Sequence, residues 1–196
     1  VLDIDHPRHL VYCEMVKGSI PAYFGQCPGD LHTRILQRMR RVLQEDNSYP
    51  YLMKNAVARL QQGRFTAAHA GVCDRTLVNM GGSMWCLLPW VGTYGFLALE
   101  RFLKIKCGER LGLKNFDSAR PYYMQFTMKV GREEFFRIVR EEIEKPLDPL
   151  ELVYPKELPV FDKYDEYLPE ALVKKGFAQG VLDVEEMKQI VRGWET

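Results

Sequence analysis

The stretch TLVNMGGSMWCLLPWVGTYGFLALERFLKIKC, residues 76–107, decides the fold class. Thr76 to Met80 and Ser83 to Leu88 are two short runs of strand-forming residues joined by Gly81-Gly82. A glycine pair tolerates positive φ and closes a tight hairpin turn. Pro89-Trp90-Val91-Gly92 ends the second strand, and Thr93 is placed to cap a helix from about Tyr94 to Cys107. Phe96, Leu99 and Leu103 recur there at helical spacing. A hairpin feeding directly into an amphipathic helix predicts an α+β fold with a small antiparallel sheet.

Working outward, Pro121 to Val130 is the clearest strand. Tyr122, Met124, Phe126, Met128 and Val130 alternate with Tyr123, Gln125, Thr127 and Lys129, the pattern of a half-buried antiparallel strand. Gly131 ends it. A helix is expected to about Ile143, with Phe135, Ile138 and Val139 inside and Arg132, Arg137 and Arg140 outside. On the other side, Asp30 can cap a helix in which Leu31, Ile35, Met39 and Val42 form the apolar face. A second helix is expected from near Pro50, with Leu52, Ala56 and Leu60 as its stripe and Gly63 as its end. Residues 1–25 read as a β region, with strands at Val1 to Asp5 and His9 to Met15. Pro146, Pro149, Pro155 and Pro159 make 144–163 an extended connector. Residues 164–196 read as a C-terminal helical pair. Its first helix spans about Leu168 to Ala178, with Leu168, Leu172 and Phe177 at helical spacing. Asp183 and Glu186 open the second as a capping box. The expected organisation is therefore an α+β domain over 1–143, with helices and hairpin in 30–143, then the connector and the helical segment.

The chain has 196 residues, 46% hydrophobic and 27% charged, an ordinary globular composition. It opens on Val1 without a starting Met, which predicts a piece of a polypeptide that continues N-terminally. The longest mostly apolar run, Met84 to Val91, is broken by Pro89 and falls far short of the ~20 residues of a membrane span. Five cysteines, an odd number with no C-x-x-C pair, argue against a secreted disulfide framework and for a reducing, cytoplasmic setting. Charge is unevenly placed. Residues 1–140 hold 20 Lys and Arg against 12 Asp and Glu, whereas 141–196 hold 7 against 14. A basic body suits a polyanion, and equally suits its own acidic tail.

Catalytic motifs are missing. No Gly-Lys dipeptide exists to build a P-loop, and there is no DEAD or DEAH tetrapeptide, G-x-S-x-G elbow or H-E-x-x-H pair. This fragment is therefore expected to be no enzyme and to carry no cofactor or metal. His6, His9 and Cys13 have metal-ligand chemistry but no recognised spacing. His69 and Cys73, four apart, would form a thiolate–imidazole pair if helical; a semi-buried cysteine near a surface histidine is the stronger reading. The better functional signal is Arg34, Arg38 and Arg41, which recur on one side of the 30s helix and can track phosphates, with Arg40 to the side. The aromatic junction Trp85 to Tyr94 combines rings that can stack on bases with a helix N-terminus that favours anions. Packing under the hairpin explains the same residues equally well. Trp90, Thr93, Tyr94 and Arg101 are the junction's candidate nucleic-acid contacts.

Leu87-Leu88-Pro89-Trp90-Val91-Gly92-Thr93 resembles an "FPWxGT" signature, and Phe96, Leu99, Glu100 and Leu103 resemble the "rTLerlL" helix that follows it. Tyr164-Asp165-Glu166-Tyr167-Leu168-Pro169 with Leu182-Asp183-Val184 is similar to a closing "neylp…LDv" segment. Together these resemble the Lhr-like (large-helicase-related) DEAD/DEAH-box helicases, in the region C-terminal to their motor domains. The resemblance covers much of the chain from about residue 49 onward. It implies a non-catalytic accessory domain of an ATP-dependent helicase. Such a domain contacts single-stranded or duplex DNA or RNA, and packs on motor domains that alone would hold ATP and Mg. The rival expectation is a scaffold that packs on its parent and touches no nucleic acid.

Overall fold

The computed structural model describes residues 3–5, 8, 10–12, 30–160 and 164–194. Strands β1 (Asp3–Asp5) and β2 (Leu10–Tyr12) pair antiparallel, Asp3 opposite Tyr12. The rest of the proposed N-terminal β region lies outside the described residues, as do His6, His9 and Cys13.

Helices α1 (Thr33–Gln44) and α2 (Lys54–Ala70) come next and pack on one another. The hairpin β3 (Leu77–Gly81) and β4 (Met84–Leu87) turns on Gly81 and Gly82, both at positive φ. Helix α3 (Thr93–Phe102) continues through a π-helical stretch at Leu103–Cys107 into α4 (Gly108–Leu111). Strands β5 (Lys114–Ala119) and β6 (Tyr123–Thr127) complete a four-stranded antiparallel sheet of order β3-β4-β6-β5. Helix α5 (Arg132–Ile143), a 3₁₀ turn at Pro149–Leu152, and helices α6 (Glu170–Gly180) and α7 (Val184–Arg192) follow. The architecture is α+β with a C-terminal helical pair, as the sequence predicts.

The core forms around α3. Phe96, Ala98, Leu99, Phe102 and Leu103 are fully buried, because α3 is covered on several sides rather than along one stripe. Each large side chain so enclosed contributes about 1.5–3 kcal/mol. Met124 and Phe126 reach this core from β6 and Met128 from just beyond it, as their alternation predicts, and Phe135, Ile138 and Val139 reach it from α5. The C-terminal pair joins the same core through Phe177, Leu182, Met187, Val191 and Trp194. Leu152, at 0% exposure, docks the Pro-rich segment there too. The first half of that segment is packed rather than extended, since Asp148 and Glu151 close a capping box over the 3₁₀ turn, whereas Leu158 and Val160 are exposed.

Three periodicity readings need correction. In α1 the buried residues are Thr33 and Leu36, while Ile35 and Met39 are 47% and 41% exposed. The most apolar face of this helix is not the one against the core. In α6 the inward residues are Val173, Phe177 and Ala178, and Leu168 and Leu172 are exposed. Gly63 does not end α2. It lies mid-helix, its Cα side facing Leu43 of α1, and the end falls at Gly71 with φ of +65°. A left-handed C-terminal glycine can turn the chain where Gly63 need not.

Candidate nucleic-acid interface

The site is organised by a hydrogen-bonded clasp. Leu31 N–H donates to Thr93 Oγ1 (2.9 Å), and Thr93 N–H returns a bond to the Leu31 carbonyl (2.9 Å). Gly92 N–H donates to Thr33 Oγ1 (2.7 Å), whose hydroxyl in turn donates to Glu186 Oε1 of α7 (2.5 Å). The start of α1 is thus tied to the start of α3 and to α7. Asp183 caps α7 by accepting from Glu186 N–H at 2.8 Å, which is half of the expected capping box. The other half is missing because the Glu186 carboxylate reaches Thr33 instead. Gly92 is required by proximity: a Cβ there would stand 2.5 Å from the Leu31 carbonyl oxygen and 2.7 Å from Thr33 N. Gly95 is similarly close-packed, against Val91 and the Glu186 carboxylate.

From this anchor α1 presents Arg34, Arg38 and Arg41, all exposed. Arg38 bridges to Glu45 (3.0 Å) and donates to the Tyr49 hydroxyl (3.2 Å). The Tyr49 hydroxyl bond, with Arg38 beside it, holds the Glu45 carboxyl below its ordinary range. Exposed pairs of this kind contribute little to stability. Arg34 and Arg38 flank the apolar strip of Ile35, Met39, Val42 and Leu43.

The junction residues divide. Thr93 is 7% exposed and its hydroxyl belongs to the clasp. Tyr94 is exposed, and its hydroxyl donates to Asp30 at 2.7 Å. Arg101 is 7% exposed, forked onto Glu157 (2.6 Å to each oxygen), donating to the Leu152 carbonyl and stacked on Tyr154 and Phe177. It cannot reach a strand without breaking an enclosed ion pair; it holds the Pro-rich segment to α3. Trp90 is half-buried at φ of +52°, a left-handed conformation that costs a bulky residue about 1–3 kcal/mol. It lines a cleft of about 300 Å³ with Arg40, Asp74, Arg132, Gln189 and Trp194.

Neither Arg132, expected on the outer face of its helix, nor Trp194 carries a motif. Arg40 is expected only to the side of the phosphate row. It is half-buried, and its Nε donates to the Cys73 carbonyl (2.7 Å), tying α1 to the chain just past α2.

The His69–Cys73 pair is not assembled. Gly71 breaks the helix between them, the exposed His69 stacks on Phe65, and burial pushes the Cys73 thiol up, opposite to the shift that activates a thiolate. Among the described residues no group of three or more His, Cys, Asp or Glu side chains gathers as a metal site, and no helix is long and apolar enough to cross a membrane. No protein-family model matches this chain, and no match was found among curated proteins or solved structures.

Proposed function

We propose that this chain is a non-catalytic accessory domain of a superfamily 2 ATP-dependent helicase of the Lhr-like group, contacting nucleic-acid backbone beside motor domains of the same polypeptide. The observation that carries the proposal is the row Arg34, Arg38 and Arg41, exposed along a helix whose start is fixed to α3 and α7 by the clasp. A cationic row on a braced helix can follow a phosphate backbone without reading bases. The resemblance of the Pro89-Trp90-Val91-Gly92-Thr93 run to a helicase signature supplies the family. ATP and Mg would belong to the motor domains.

Titration with a labelled single-stranded oligonucleotide at two salt concentrations tests the reading. Three phosphate contacts give a slope of log affinity against log salt of about −2 for single strands. Reversal of Arg34, Arg38 and Arg41 to Glu should flatten that slope and leave the fold intact. No binding at low salt would refute the proposal.

A second reading, a scaffold on the parent protein, has its own support. Ile35 and Met39 on α1, Tyr51 and Met53 before α2, and Phe65 on α2 are all exposed. The strip of Ile35, Met39, Val42 and Leu43 suits a protein neighbour. Failure to bind nucleic acid by a folded chain is the outcome that favours it.

A further inference from the structure

The cleft between α1, the β4–α3 loop, α5 and the end of α7 is walled by residues that carry buried hydrogen-bond donors without acceptors. Trp194 is 6% exposed, and its indole Nε1 has no partner among the described residues. The same is true of Trp90 Nε1 and Arg132 Nε, both on residues that line this cleft. Buried donors are nearly always paired, so three on residues that wall one cleft point to an occupant that accepts. Arg40 adds a second guanidinium, of which only Nε is engaged, on a backbone carbonyl. Neither Arg40 nor Arg132 makes an ion pair with a carboxylate among the described residues; Arg132 rests on the Phe136 ring at 5.7 Å. Asp74, the cleft's one acidic residue, accepts from Gln44. Two guanidinium groups against one carboxylate leave the cleft cationic. Indole and guanidinium groups donate and never accept, so the occupant must present several acceptors.

We propose that this cleft binds a phosphate-class oxyanion, separately from the arginine row on α1. Its donors come from four elements: Arg40 from α1, Trp90 from the β4–α3 loop, Arg132 from α5 and Trp194 from just beyond α7. A tetrahedral oxyanion directs oxygens to several walls at once, which a planar carboxylate does not. The strained backbone at Trp90 fits a ring held in place for a ligand, since such strain persists where surrounding structure over-determines it. The same chemistry is offered by free phosphate and by a nucleic-acid backbone phosphate.

The chain contains three tryptophans, so its ¹H–¹⁵N spectrum has three indole signals, and Trp85, outside the cleft, is an internal control. The full chain is titrated with inorganic phosphate at constant ionic strength held by chloride. The Trp90 and Trp194 indole signals should move together and saturate while that of Trp85 stays. Arg132→Gln should weaken the response at least about tenfold, the loss of a charged hydrogen bond. Trp90→Phe should weaken it too, which guards against one variant failing to fold. A second titration uses an oligonucleotide with a phosphodiester backbone and one with a neutral backbone. Movement with the phosphodiester alone, competed by phosphate, assigns the site to a strand. Movement with phosphate that neither oligonucleotide displaces assigns it to a free phosphate compound. Static indole signals with both probes, or an Arg132→Gln response equal to that of the parent, would overturn the proposal. Neither result bears on the arginine row, whose reversal is read by salt slope.

Discussion

Gly92→Ala tests the clasp directly. The backbone at Gly92, φ −64° and ψ 174°, is open to alanine, so the substitution brings no torsional strain. Its cost is contact alone. The added Cβ would lie 2.5 Å from the Leu31 oxygen and 2.7 Å from Thr33 N, and both are backbone atoms that cannot rotate away. The start of α1 must retreat by about half an ångström or more, a forced displacement of the kind that costs about 1–3 kcal/mol. The retreat strains three hydrogen bonds, from Gly92 N, Thr93 N and Leu31 N, each contributing about 1 kcal/mol net. A reduced unfolded-state entropy returns about 0.4–1 kcal/mol. The expected loss is about 2–4 kcal/mol in a urea titration, with hydrogen exchange of α1 amides accelerated more than that of α5. Gly131→Ala is the matched control. Gly131 precedes α5 at φ −80° and ψ 176°, yet a Cβ there meets nothing within 4 Å. Like Gly92 it is an N-cap, where alanine is less favourable than glycine, so its loss should stay within about 1 kcal/mol. Equal midpoints for the two variants, with unchanged α1 exchange, would refute the clasp.

Thr33→Val should cost about 1–3 kcal/mol, by stranding Gly92 N and the Glu186 carboxylate, whereas Thr33→Ser keeps the hydroxyl and most of the stability; thermal unfolding of the pair checks this. Glu157→Gln should destabilise by about 3 kcal/mol, because it leaves the Arg101 guanidinium enclosed without a counter-charge. The Arg101 hydrogen bonds hold the Glu157 carboxyl below its ordinary value. Its contribution is therefore complete above the unfolded value near pH 4.3 and is lost as pH falls through the lower folded one. The parent's stability should drop with acid across that window, and the variant's should drop less. Burial pushes the Cys107 thiol up to about 12. With labelling read residue by residue, Cys107 should resist alkylation at pH 8 until urea unfolds the chain, and its rapid native labelling would contradict its enclosure.

The elements read most accurately were those whose apolar period matches a single burial environment. β6 alternates against one core, and α3 and α5 carry clean helical spacing, so Phe96, Leu99, Met124, Phe126 and Phe135 were all readable as core. β5 went unread because Lys114–Ala119 has little apolar alternation. Its register slips between Lys114 and Asp117, and it is held mainly by backbone pairing to β6. α1 misled for a different reason. Ile35, Met39 and Val42 have the right spacing for a core face, but the clasp at Thr33 fixes the rotation of the helix and turns Leu36 inward. A hydrogen bond between residues 59 apart in sequence leaves no periodic trace. The cleft was invisible for the same reason. Arg40, Trp90, Arg132 and Trp194 come from four separated elements, and nothing local marks them as neighbours.

The Pro89-Trp90-Val91-Gly92-Thr93 run, which carries the resemblance, turns out to be largely architectural. Pro89 and Val91 are buried, Gly92 admits the α1 backbone, and Thr93 receives Leu31. Only Trp90 offers an unpaired group to the cleft. A run of this kind constrains sequence through close approach and hydrogen-bond pairing, so its residues can be essential without touching a ligand. Under the proposed function, binding would fall to what the run holds in place, namely the arginine row on α1 and the walls of the cleft. Substitutions in the run should thus act on folding and on ligand affinity together, as Gly92→Ala would. Substitutions at Arg34, Arg41 or Arg132 should separate the two, lowering affinity while the urea midpoint stays. If Thr93→Val weakened binding of a phosphodiester strand without lowering stability, the run itself would be the contact, and this division of labour would fail.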